Sequence, residues 1–136
     1  MSERVHRIRL VGPWEWTSRP AEDESDWRKI RLPDDWESLC EVSGSAIFRR
    51  RFHCPTGIEA TDKVFVVIDA DGFLGTVQLN GSPLGCIERL SRSDQSYEVT
   101  DRLLDHNLLT ITFEDISSSS GGGLVRPVVL EIVSQA

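Results

Sequence analysis

Residues 76–85 read TVQLNGSPLG. Val77 and Leu79 alternate with Thr76 and Gln78, the two-residue period of a strand with one buried face. Asn80-Gly81 follows, and both residue types tolerate the φ > 0 that a type I′ turn requires at its two central positions. A second small apolar step, Leu84-Gly85, lies beyond the turn. This stretch is predicted to be a β-hairpin.

The same texture continues on both sides of it. Short runs rich in β-branched, aromatic or Leu residues occur at Arg4–Val11, Ala46–His53, Lys63–Asp69, Leu74–Leu79, Asn107–Phe113 and Val125–Val133, bounded by Gly, Pro, Asn, Asp or Ser. Helical periodicity is scarce. One helical turn is expected near residues 100–105, with Thr100 placed to cap it. Thr17–Asp26 and Ser117–Gly123 read as loops, the second a low-complexity SSSSGGG. Six or more strands at this density predict an all-β fold, a sandwich or small barrel of antiparallel sheets. With 136 residues the chain is one domain's worth, and such a chain buries roughly 68% of its unfolded surface.

A net charge of −7 argues against a nucleic-acid partner, because phosphate binding depends on clustered Lys and Arg. Cys40, Cys54 and Cys86 are odd in number and lack metal-ligand spacing, which suits reduced thiols. MSERVHRIRL carries no apolar run of signal-peptide length, and no segment has the length and apolarity of a bilayer span. The expectation is a cytoplasmic chain with no membrane partner.

In order, the chain carries RLVGPWEW (Arg9–Trp16), W..IRLPDDW (Trp27–Trp36), FRRRFHCP (Phe48–Pro55), VFVVIDADG (Val64–Gly72), VQLNGSPLG, YEVTDRL…NLLTITFED (Tyr97–Asp115) and GGGLVRPVVLEI (Gly121–Ile132). That succession resembles the N-terminal sugar-binding domain of glycoside hydrolase family 2, the β-galactosidase, β-glucuronidase and β-mannosidase group, from Ile8 to Ile132. The resemblance implies a jelly-roll β-sandwich of the galactose-binding domain-like type, occupying residues 1–136 as a single domain. It also implies a carbohydrate ligand. In the resembled enzymes the catalytic carboxylates sit on a (β/α)₈ barrel of about 250 residues, for which this chain has no room. The chain alone is therefore expected to be non-catalytic.

Other catalytic patterns are missing: there is no GxSxG, GxxxxGK[ST] or HExxH, and His6, His53 and His106 are far apart in sequence. His53 and Cys54, neighbours on a strand, point to opposite faces. The resemblance places Asp115, at the end of its strand, and Arg126, in the GG..R element, toward a sugar site. The plainer alternatives are a strand-ending Asp and a loop-fixing ion pair. Trp16 is the third candidate, since Trp14 and Trp16 share a face and one of them offers a stacking surface, whereas Trp27 and Trp36 fall on structural positions. Cys86–Ser96 (CIERLSRSDQS) is polar where the family often has a His and aromatics, which favours a second reading, a sandwich that serves as a protein-interaction scaffold. A third is a segment of a longer family 2 glycosidase.

Two further motifs need weighing. In Arg49-Arg50-Arg51, alternation puts Arg50 between Phe48 and Phe52 and so predicts it to be the buried, carboxylate-paired guanidinium. Asp69-Ala70-Asp71-Gly72 has the opening of a calcium loop but few of the six to eight oxygens such a site needs, so no metal and no cofactor is expected.

Overall fold

The computed structural model describes residues 3–10, 13–17, 27–32, 45–71, 75–87, 93–113, 123–124 and 127–135. They form eleven strands: β1 (Glu3–Leu10), β2 (Trp14–Thr17), β3 (Arg28–Ile30), β4 (Ala46–His53), β5 (Lys63–Asp71), β6 (Gly75–Leu79), β7 (Ser82–Ile87), β8 (Ser93–Glu98), β9 (His106–Phe113), β10 (Gly123–Leu124) and β11 (Val128–Gln135). No helix occurs among them. All pairings are antiparallel. One sheet has six strands in the order β3-β2-β4-β9-β6-β7. The other has five: β1-β11-β5, with β8 on the far side of β5 and β10 at the end of β5.

Between the sheets lies a core built by strict alternation. β9 buries Asn107, Leu109, Ile111 and Phe113 while the residues between them are half-exposed, and β5 buries Val64, Val66 and Ile68 in the same way. Phe48 meets Phe113 edge-to-face at 5.9 Å across the β4–β9 pair. Trp14 is fully buried, and its indole N–H donates to the Leu10 carbonyl at 2.7 Å. Tyr97 of β8 closes one side: its ring lies over Gly85, where a Cβ would stand 2.7 Å from the ring, and its hydroxyl donates to the Cys86 carbonyl at 2.9 Å.

The hairpin forms as expected. Asn80 and Gly81 have φ of +53° and +83°, the turn pairs Leu79 with Ser82, and a bulge between Val77 and Gln78 absorbs Leu84. Residues 100–105 differ from expectation. Instead of a helical turn, Val99–Arg102 is a β-turn closed by Arg102 N–H to the Val99 carbonyl at 2.9 Å. Thr100 caps nothing: its hydroxyl accepts from Val64 N–H at 3.0 Å and donates to Glu98 at 2.9 Å, so it ties this turn to the start of β5. Cys86–Ser96 is not one loop either, since Cys86 and Ile87 finish β7 and Ser93–Ser96 pair with Val67–Ala70.

The arginine triplet reverses the sequence-based expectation. Arg49, on the outward face of β4, is the buried one at 7% exposure, while Arg50 is only half-buried. Alternation was read correctly, but the outward face is covered. Trp27 lies over the Arg49 guanidinium at 3.9 Å, and Glu15, directly opposite on β2, accepts from Arg49 Nε at 3.0 Å and from Arg51 Nη1 at 2.8 Å. Arg50 faces inward at the rim, donates to the Arg51 carbonyl, and is pushed by burial below its ordinary pKa. Burial works to raise the Glu15 pKa, but Arg49 and Arg51 outweigh it and hold this carboxyl below the usual range.

Arg49→Met should therefore cost about 2 kcal/mol at neutral pH, while Arg50→Met should stay within about 0.5 kcal/mol of wild type. A depressed carboxyl adds stability above its unfolded pKa and loses it as pH falls through the folded value. The gap between wild type and Arg49→Met should accordingly narrow below about pH 4. Urea midpoints for both variants across this range check the ordering and its sign.

Candidate functional site

The strand ends gather at one pole of the sandwich. Thr17 of β2 pairs with Ile47, next to the first residue of β4, and Ala46 pairs with Phe113, the last residue of β9. Phe113 also pairs with Gly75, which opens β6, and Gly75 pairs with Ile87, which closes β7. In the other sheet Asp71, the last residue of β5, pairs with Gly123, and Ala70 pairs with Ser93, the first residue of β8. The chain passes from Asp71 to Gly75 through only residues 72–74, so these ends belong to the same pole.

Of the candidate residues, Trp16 lies at this pole. Trp16 is one residue from the end of β2, Asp115 follows the end of β9 by two, and Arg126 follows the end of β10 by two. Asp115 and Arg126 themselves lie outside the described residues, as do Trp36, Cys40 and most of the two loop stretches. Trp16 is described. It is half-buried, pairs with Phe48 across β2–β4 and stacks on that ring at 6.4 Å and 28°. One side of the indole is thus fixed by the core, which holds the ring rigid at the sandwich rim. Trp14 is wholly core, and Trp27 is occupied by Arg49.

The opposite pole is knit shut by amides. A cavity of about 430 Å³ lies beside the hairpin, lined by Leu79, Asn80, Ser82, Pro83, Arg102 and Leu104. Two of its polar side chains are already engaged: Arg102 donates to the Pro83 carbonyl at 2.7 Å, and Asn80 bonds Asn107 at 3.0 Å and Leu108 N–H at 2.8 Å. A second cleft of about 320 Å³ runs between β1 and β4, with an apolar floor of Leu10, Phe52 and Leu130 and a basic rim of Arg9, Arg50 and His53. Among the described residues no three His, Cys, Asp or Glu side chains form a metal-binding group.

No protein-family model and no curated protein matches the sequence. Solved structures do. An FMN-binding β-glucuronidase from Facaelibacterium prausnitzii L2-6 superposes with a TM-score of 0.71 at 25% identity, over 94% of this chain and 22% of that one. A Bacteroides uniformis β-glucuronidase gives 0.73 at 22% identity, over 95% and 18%. A β-glucuronidase described as belonging to glycoside hydrolase family 2 gives 0.73 at 16% identity, over 97% and 18%. Nearly the whole of this chain is matched, but only about a fifth of each enzyme. The fold is that of the N-terminal domain of a family 2 glycoside hydrolase.

The matched part is about a fifth of each enzyme, so this chain alone is a small domain without their full catalytic barrel. No helix of the described residues is long and apolar enough to cross a membrane. The ordered motifs in the sequence pointed to this fold, but the short strands β2, β3, β8 and β10 were missed. Two to six residues of mixed polarity carry too few periods to register as alternation.

Proposed function

We propose that this chain is a non-catalytic carbohydrate-binding domain of galactose-binding-like jelly-roll type, spanning residues 1–136 as one unit. The observation that carries the proposal is the match of 94% of the chain to a β-glucuronidase at 25% identity. Glycosidases act on sugars, and a domain of this kind contributes binding surface next to the chemistry. The sugar would meet the loop-bearing pole, with the rim of Trp16 offering an apolar face to the C–H surface of the ring. Asp115 and Arg126 would supply the few placed polar groups that fix its orientation. The share of the enzymes that is matched, about a fifth, favours a domain working beside a catalytic barrel over a freely acting lectin. The described surface offers little to a scaffold reading, because Val5 and Leu104 are its exposed large apolar side chains and sit on separate elements.

Calorimetric titration with a glucuronide and a galactoside should show millimolar binding. Asp115→Ala and Arg126→Ala should each weaken it at least tenfold while leaving the melting temperature unchanged. Flat signals for the wild type across a broad glycan array at millimolar ligand would remove the proposal.

A further inference from the structure

Two histidines far apart in sequence meet on the outer face of the six-stranded sheet. His53, the last residue of β4, lies directly opposite His106, the first residue of β9. The next step of this ladder is Cys54 N–H to the Asp105 carbonyl at 3.0 Å, which makes 54/105 a hydrogen-bonded pair. Because the two kinds of pair alternate, 53/106 is a non-hydrogen-bonded pair, the position at which opposed side chains come closest. The rings lie with centroids 4.5 Å apart, edge to face at 74°. Both are exposed, and the structure gives neither imidazole a hydrogen-bonding partner among the described residues.

We propose that His53 and His106 chelate one transition-metal ion of the zinc, nickel or copper(II) class. Imidazole nitrogens suit these ions, at about 2.1 Å each, and two nitrogens on one tetrahedral ion stand about 3.4 Å apart. With the ring centroids 4.5 Å apart on directly opposed residues, reaching that spacing would call for reorientation of the two rings on their side-chain bonds. No described third ligand completes the set, so the remaining positions stay open to water or to a donor from another molecule. The ion would clamp β4 to β9 at the point where their ladder ends. Calcium and magnesium, which take oxygen ligands, are not served. This inference is independent of the carbohydrate reading, since it concerns the end of β4 and the beginning of β9, away from the loop-bearing pole.

The experiment follows all three imidazoles by nitrogen-detected NMR of the full chain during titration with zinc chloride. His53 and His106 should respond together at one equivalent, with His6, exposed on β1, as the internal control. Zinc at a hundredfold excess over its Kd should raise the melting temperature by ~8 °C, and magnesium should not. His53→Gln and His106→Gln should each weaken zinc binding at least tenfold, and His6→Gln should leave it unchanged. Equal response of all three imidazoles, or binding that disappears with Cys54→Ser or Cys86→Ser but survives His106→Gln, overturns the site.

Discussion

Trp14→Ala should destabilise the domain by about 4 kcal/mol and lower its melting temperature by ~12 °C. Trp14 is fully buried in β2, and its removal leaves a void that a close-packed core cannot fill without strain. It also strips the Leu10 carbonyl of its indole donor at 2.7 Å. Trp16→Ala, at a half-buried ring held mainly by Phe48, should cost about half as much. A calorimetric scan of both variants is the measurement, and equal shifts would contradict the division of labour between a core indole and a rim indole. The comparison bears on function, because only the rim indole has a face to offer a ligand.

Asn107→Leu should cost about 3 kcal/mol although the two side chains share the same branched arrangement of heavy atoms. Asn107 is 3% exposed. Its carboxamide oxygen accepts from Leu104 N–H at 2.8 Å and from Asn80 at 3.0 Å, and its nitrogen donates to the Leu104 carbonyl at 2.8 Å. Leucine leaves these groups buried without partners, and each such group costs about 1 kcal/mol or more. The damage reaches the hairpin, because Asn80 sits at φ +53° and is held by Asn107 together with Leu108, whose N–H and carbonyl it engages at 2.8 and 2.9 Å. Amide exchange should therefore accelerate at Leu104, Asn80 and Leu108 together. Exchange raised at Leu104 alone would show that the two asparagines do not act as a unit.

These asparagines also show where reading the sequence stops. Asn80 was legible as a turn residue from NG alone, since the turn's φ values demand it. Its tie to Asn107, 27 positions away, was not. The arginine triplet makes the same point in the other direction. Alternation placed Arg49 and Arg50 on opposite faces correctly, yet it could not say that Trp27 and Glu15 would roof the outward one. Burial is a property of what lies on top, and here the covering residues are Glu15 of β2 and Trp27, just before β3, both 20 or more residues upstream.

The long strands, the Asn-Gly turn and the family likeness were present in the amino-acid order, because each rests on interactions between near neighbours or on motifs in succession. Which tryptophan is core, which arginine is enclosed, that the ends of eight strands share one pole, and that His53 faces His106 came only with the folded chain. Those features are set by strand register and sheet order, and register is a long-range quantity: a one-residue slip of β4 against β9 would preserve every local pattern and separate the two imidazoles.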